Sequence, residues 1–431
     1  MDKQAVAFFW FRRDLRLEDN VGLFQALQSP YPVIPLFIFD DTILDSLPKN
    51  DARVGFIHES LSKINNQLKE LGSSLLIKKG ITAAVWQSLI QEYDIKEVFL
   101  NKDYEPYAIK RDLAICDLLQ ANNTVTNCYK DQVIFEEKEI TKTDGLPYTV
   151  YTPYKNKWLE KYRINAPITE FDCSVYFSNF YKSNFDFPTL EQIGFTASPI
   201  KVKPHNLTQI SSYQQTRDFP ALDTTSYLSP HLRFGTVSIR KLVNWAARKN
   251  DVFLSELIWR EFFMQILYSF PKVIDHNFKS AYDGIQWRNN EADFKRWCTG
   301  TTGYPMVDAG MRQLNETGYM HNRVRMVVAS FLCKHLLIQW QWGEAYFAEK
   351  LLDYDLSANV GNWQWAAGTG CDAAPYFRVF NPEIQLQKFD EKGIYIRKWI
   401  PELDLEYTVP MVEHSFARDR AIAVYKKGIL K

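Results

Sequence analysis

Four stretches of the chain carry chemically useful side chains at spacings that bring them together. SELIWREFF sets Glu256, Trp259 and Arg260 at i, i+3 and i+4, one face of a helix. A carboxylate, an indole and a guanidinium on one face could read a nucleobase and a phosphate together. The same spacing also describes an ordinary amphipathic helix, whose Glu–Arg pair contributes only a few tenths of a kcal/mol. In MHNRVRM, helical spacing puts Asn322, Arg325 and Met326 on one face and turns Arg323 elsewhere, so two functions can be split across one helix. TTSYLSPHLRFG, residues 224–235, sets the hydroxyls of Thr225, Ser226 and Ser229 before Pro230 and a helical segment. Ser229 and Pro230 fit an N-cap and first helical position. Hydroxyls and free amides at a helix start make a phosphate cradle without a glycine-rich turn, although a cap with nothing bound fits the pattern as well. LLDYDLSANVGNWQWAAGTGCDAAPYFR is the least helix-like part of the C-terminal half, and it concentrates Asp353, Asp355, Asn359, Trp363, Trp365 and Arg378. Gly361, Gly368 and Gly370 allow close backbone approach to a ligand. The aspartates make an ion pair with Arg325 by default, and could also hold a ribose or the edge of a flat cofactor.

The elements that must position these residues are legible in the periodicity. Runs at 5–11 (AVAFFWF), 32–39, 74–78 and 97–100 have strand character, and helical segments such as 53–71 separate them. This alternation predicts an α/β N-terminal domain built on a doubly wound parallel sheet. RRDLRLEDN follows the first strand in place of G-x-G-x-x-G, so the usual dinucleotide fingerprint is missing and any nucleotide cofactor binds elsewhere. Between 135 and 204 the periodicity loosens and prolines accumulate, which predicts a long surface connector. Beyond it the period is helical, as at 252–268 and 320–340. The expected division is an α/β domain at 1–134, a connector at 135–204 and an all-α domain at 205–431. No internal repeat is present.

Composition agrees with two folded domains. The chain has 431 residues, 46 % of them hydrophobic and 24 % charged. Its first residues read as a buried strand and not as a cleavable leader, and no stretch is apolar enough to span a membrane. The six cysteines are scattered without C-x-x-C or histidine-pair spacing, so neither a metal site nor a disulfide framework is expected, and a reduced cytoplasm fits. Zero formal net charge excludes coating of nucleic acid by bulk charge, but not a local basic groove. Nine of the twelve tryptophans fall between Trp245 and Trp399. Either a large helical core or a stacking site for a planar group accounts for them.

Taken in order, FWFRRDLRLEDN, YQQTRDFP, TSYLS, ELIWREFF, TGYPMVDAGMRQL, MHNRVRM and NVGNWQWAAGTGCDAAPYFR resemble the cryptochrome/photolyase flavoproteins. The resemblance covers nearly the whole chain and is closest to the class I cyclobutane dimer photolyases. It implies that the helical domain binds a U-shaped FAD, with Tyr213, Thr225, Ser226, Leu228, Ser229 and Arg260 at its phosphates. Asp353 and Asp355 are then expected near flavin and ribose, with Arg325 paired to Asp353, and Asn359 facing flavin N5. It also implies light-driven repair of cyclobutane pyrimidine dimers in DNA, the dimer being flipped out of the duplex. Trp259 and Trp365 would form the pocket walls, and Met326 would lie against the cyclobutane. Glu256 and Asn322 would read the base edges, with Glu256 protonated in a desolvated site. Arg217, Arg323 and Arg378 match positions near DNA phosphates. Trp363, Trp340 and Trp287 match a chain that photoreduces resting flavin.

Within the family, the (6-4) enzymes carry paired histidines where this chain reads MHNRVRM, so their chemistry is not expected. A blue-light-signalling cryptochrome is the alternative to repair. It would usually show a substituted dimer pocket or a long C-terminal extension, whereas Glu256, Trp259, Asn322, Met326 and Trp365 are all present. The folate antenna pattern is not matched, because DYEPYAIKRD has Tyr107 and Ala108 where an Asn-Glu pair is expected. A deazaflavin, a second flavin or an empty antenna site are all compatible with the sequence. A monomer is expected, since repair of isolated lesions requires no symmetry.

Overall fold

The first strand shows no alternation of polar and apolar residues; six of the seven residues of β1 (Ala5–Phe11) are buried, as a strand covered on both faces requires. In the computed structural model, which describes residues 3–405 and 407–429, β1 is the centre of a five-stranded sheet. The order is β3 (Leu76–Gly80), β2 (Val33–Asp40), β1, β4 (Asp94–Asn101) and β5 (Val125–Tyr129), and every pairing is parallel. Side chains alternate across the sheet. Ala7, Phe9 and Phe11 enter one apolar cluster, and Val6, Phe8 and Trp10 enter the other. Each fully buried large side chain contributes about 1.5–3 kcal/mol. The doubly wound parallel sheet expected from the alternation of strands and helices is present. Strand β5 was not anticipated, because VTNCY lies at the sheet edge with Val125 exposed.

RRDLRLEDN, standing where a glycine-rich turn would, builds a buried ion network. Arg16 Nη2 lies 2.7 Å from Asp131 Oδ2, and Arg240 donates to Asp131 at 2.8 Å and to Asp19 at 3.1 Å. Burial alone would raise the Asp131 carboxyl, but Arg16 and Arg240 hold it below the usual carboxylate range. This network belongs to the first of two compact units, Met1–Glu139 with Trp158–Pro204 and Leu228–Arg248.

The second unit comprises Ile140–Lys157, His205–Tyr227 and Lys249–Lys431, and its described residues are mostly helical. The stretch 135–204, which loses periodicity in the sequence, contains the Tyr151–Asn165 helix, in which Tyr151, Tyr154 and Trp158 are buried. Two further expectations are corrected. The segment that looked least helical forms the Leu356–Ala367 helix, capped by Asp355 at its start and by Gly368, at φ 90°, at its end. Its Gly361 is needed, because a Cβ there would meet the Phe263 ring at 2.1 Å. The expected continuous helix at 320–340 is broken. An α-helix at Asn322–Ser330 widens into a π-helical turn at Phe331–His335, and a new helix starts at Trp340. Leu337 at φ 51° turns the chain between them. No helix among the described residues is long and apolar enough to cross a membrane.

Candidate active site

Three elements of the second unit converge on a cleft that opens to solvent. The Asn322–Ser330 helix contributes Asn322, Arg325 and Met326; the preceding turn of the Leu356–Ala367 helix contributes Asp353 and Asp355; and that helix contributes Asn359, Trp363 and Trp365. Helical spacing explains the first group, since residues at i, i+3 and i+4 share a face. The same geometry turns Arg323 away, to Asp218 at 2.7 Å and over the Phe389 ring at 4.3 Å.

Polar groups in the cleft are held in place by neighbours. Arg325 Nη2 donates to Asp353 at 2.9 and 3.2 Å, and Arg325 Nε donates to the Met320 carbonyl at 2.8 Å. Asp355 caps its helix through Ala358 N. The Asn359 amide nitrogen donates to the Glu344 backbone carbonyl at 3.0 Å and to Glu344 Oε1 at 2.8 Å. Its carbonyl oxygen is therefore the free end of the side chain, an acceptor. Burial raises the Glu344 carboxyl, partly offset by the hydrogen bond from Asn359. Glu344 carries no sequence signal for this role, since only the fold brings its helix beside Asn359.

Other expected site residues lie outside this cleft. Glu256 is ion-paired with Arg217 at 2.6 Å, with a third of its side chain exposed. The Arg217 guanidinium and solvent both reach Glu256, so the side chain is not in the desolvated site that was expected. Tyr213 packs edge-on to Phe253 and under Arg217. Trp259 is stacked face to face by Tyr151, with ring centroids 3.5 Å apart and planes 8° apart, and the Tyr151 hydroxyl is anchored at Ser255. Tyr151 is a second residue without a sequence signal. Arg260 is half-buried beside Trp259, and Thr225 and Ser226 lie half-buried in a loop. The following helix opens at Leu228, one residue before the Ser229–Pro230 pair expected to cap it. Leu228 and the exposed Ser229 belong to the first unit. Arg378 is exposed beside Phe380.

Of the three tryptophans expected to form a chain, Trp363 lines the cleft and is buried against Phe347. Trp340 is fully buried, its indole N–H donating to Asn277 at 3.0 Å. Trp287 is half-buried against Tyr425.

Residues 7–173 match the family model for DNA photolyase, and residues 253–405 match that for the FAD binding domain of DNA photolyase. A deoxyribodipyrimidine photo-lyase of Agrobacterium fabrum is 36 % identical, the match covering 98 % of each chain. Among solved structures, a bacterial class III photolyase from Agrobacterium tumefaciens superposes with a TM-score of 0.87 at 34 % identity, covering 99 % of this chain and 98 % of the other. An archaeal photolyase from Sulfolobus tokodaii, described with two FAD molecules that imply a novel light-harvesting cofactor, superposes with a TM-score of 0.82 at 34 % identity, covering 98 % of this chain and 99 % of the other. Near full-length identity of this size, on both family models and the same fold, makes the chain a member of the photolyase/cryptochrome family.

Proposed function

We propose that this protein repairs cyclobutane pyrimidine dimers in DNA by a light-driven, redox-neutral reaction on FAD bound in the Asn322–Trp365 cleft. The observation that carries this reading is the sharing of one cleft: Asn322, Met326 and Trp365 line it together with Asp353, Asp355 and Asn359. A lesion and a flavin held there are neighbours, as electron exchange between them requires. The residues present fit a flavin. The cleft combines aromatic walls with a few fixed polar groups, and Asn359 offers an oxygen acceptor of the kind an N–H edge needs. When bound and reduced, FAD supplies an electron on excitation and takes it back after the dimer has split.

The chain's own residues bind, orient and shield. Trp365 gives the flipped lesion a flat apolar wall, Met326 packs against the cyclobutane, and the Asn322 amide reads the base edges. Glu256 joins Asn322 as a reader when it exchanges Arg217 for an N–H group on the base edge, and Trp259, backed by Tyr151, forms the second wall. Arg325 fixes Asp353 toward the cofactor, while Tyr213, Thr225, Ser226 and Arg260 serve its phosphates. Arg217, Arg323 and Arg378 contact DNA phosphates without reading sequence. Trp363, Trp340 and Trp287 carry electrons to a resting oxidised flavin. We place the protein in the cytoplasm as a monomer, a reading that its six free cysteines support for the compartment. A second chromophore is left unassigned; the Tyr107 hydroxyl is bonded to Asp40 at 2.6 Å.

The test is incubation of the reduced, FAD-loaded protein with a dimer-containing oligothymidylate, in blue light and in darkness. Recovery of thymine absorbance in light alone is expected. Bound, photoreducible FAD without recovery would overturn repair and favour light signalling.

A further inference from the structure

Lys334 stands on the π-helical turn Phe331–His335 and is 1 % exposed. Among the described residues no carboxylate pairs with it, and burial lowers its ammonium to about 7. Two other groups hold it. The ring of Tyr425, on the C-terminal helix His414–Gly428, lies 3.7 Å from Nζ, and Nζ donates to the Tyr376 backbone carbonyl at 3.1 Å. An ammonium taken out of water without an anion is costly. A methionine of similar length would fill the same space, so the charge needs a reason beyond packing.

The hydrogen bond falls on a segment that has few others. Residues 371–380 form neither helix nor strand. Near their start the Asp372 carboxylate accepts from the Tyr151 N–H at 3.1 Å, and the Arg378 N–H donates to the Pro375 carbonyl at 2.9 Å, closing a turn within the segment. Among the described residues, Lys334 makes the one hydrogen bond that ties 373–380 to the rest of the unit. Phe377 and Arg378, both exposed, form the tip. Gly368, at φ 90°, ends the Leu356–Ala367 helix so close by that a Cβ would meet Lys334 Nζ and the Ala374 carbonyl oxygen, each at 3.2 Å. The end of the cleft helix, the lysine and the turn are thus packed together.

We propose that Lys334 is a positioning residue for DNA binding: by holding the Tyr376 carbonyl it fixes the 374–378 turn so that Arg378 faces a DNA phosphate, the role that the proposed function gives Arg378. A turn held in one conformation before DNA arrives loses less conformational freedom on binding. Lys334 is too deeply buried to meet DNA itself, so its effect on affinity runs through Arg378.

The test is a double-mutant cycle on the FAD-loaded protein. Binding of a dimer-containing duplex is measured in darkness at several salt concentrations for wild type, Lys334→Met, Arg378→Gln and the double variant. Thermal unfolding and repair yield per flash at saturating DNA accompany it. Lys334→Met puts an apolar chain in place of an unpaired buried cation and should unfold within a few degrees of wild type; Lys334→Gln, one bond shorter than lysine, is the second variant, with the same direction expected. Each single variant should bind about three- to tenfold more weakly, with the slope of log affinity against log salt reduced by about one. Yield per flash at saturation should stay within about twofold of wild type, and Lys334→Met should cost no further affinity once Arg378 is Gln. Weak binding by Arg378→Gln with normal binding by Lys334→Met, or a Lys334→Met loss repeated in full in the Arg378→Gln background, would overturn the role of Lys334 alone. Arg378→Gln binding as wild type would overturn the phosphate reading of Arg378, and the proposal with it.

Discussion

Arg217 Nη1 lies 2.6 Å from Glu256 Oε1, each side chain about a third or less exposed. A residue matched to DNA phosphate and a residue matched to a base edge are thus each other's partner when no DNA is present. Binding must separate them, so the pair tunes affinity and pocket order together.

Arg217→Gln removes one cation from the DNA face. Dimer-DNA affinity is expected to fall about three- to tenfold at moderate salt, with the slope of log affinity against log salt reduced by about one. Titration at several salt concentrations measures it. An unchanged slope would remove Arg217 from the phosphate contacts.

Asp131 is 1 % exposed between Arg16 and Arg240. Asp131→Ala leaves two guanidinium groups without their carboxylate and is expected to cost about 3–5 kcal/mol of stability. The folded fraction should still bind flavin normally, because the cleft residues lie in the other unit. Denaturant unfolding with flavin titration checks both halves.

The C-terminal helix His414–Gly428 is docked in part through His335 Nε2 and His414 Nδ1, 2.9 Å apart. Burial lowers both imidazoles, His335 to about 3, with His414 and Arg420 adding to its shift. Glu413, Glu383 and Asp419 oppose the effect at His414, and Arg418 adds to it. The folded state therefore binds fewer protons than the unfolded one below the ordinary histidine value of 6.5. Stability should fall as pH falls through that window, by roughly 2 kcal/mol from His335 alone by about pH 5. His335→Gln should flatten the dependence in thermal unfolding.

Trp340 is fully buried, and its indole is held by Asn277. Trp340→Phe should slow photoreduction of oxidised, bound flavin by at least tenfold while leaving repair by chemically reduced protein within about twofold. Flavin absorbance under illumination, followed with and without added reductant, separates the two effects.

Much of this arrangement is legible in the sequence where periodicity carries it. AVAFFWF gives β1, and the i, i+3, i+4 spacing in MHNRVRM gives the Asn322–Arg325–Met326 face that lines the cleft. Strand β5 is not legible, because an edge strand covered on one side needs no apolar run. The Leu356–Ala367 helix is masked by Gly361, whose missing side chain is explained only by the Phe263 ring. Glu344 and Tyr151 act through partners, Asn359 and Trp259, that only the fold brings to them.

The central claim is tested most directly by repair per flash, comparing reduced wild-type protein with a Glu256→Ala, Asn322→Ala variant, both saturated with dimer-containing oligothymidylate. The account predicts thymine recovery in wild type only with light, and at least a tenfold lower yield per flash in the variant despite bound flavin and DNA. Equal recovery in darkness, or an undiminished yield in the variant, would contradict it.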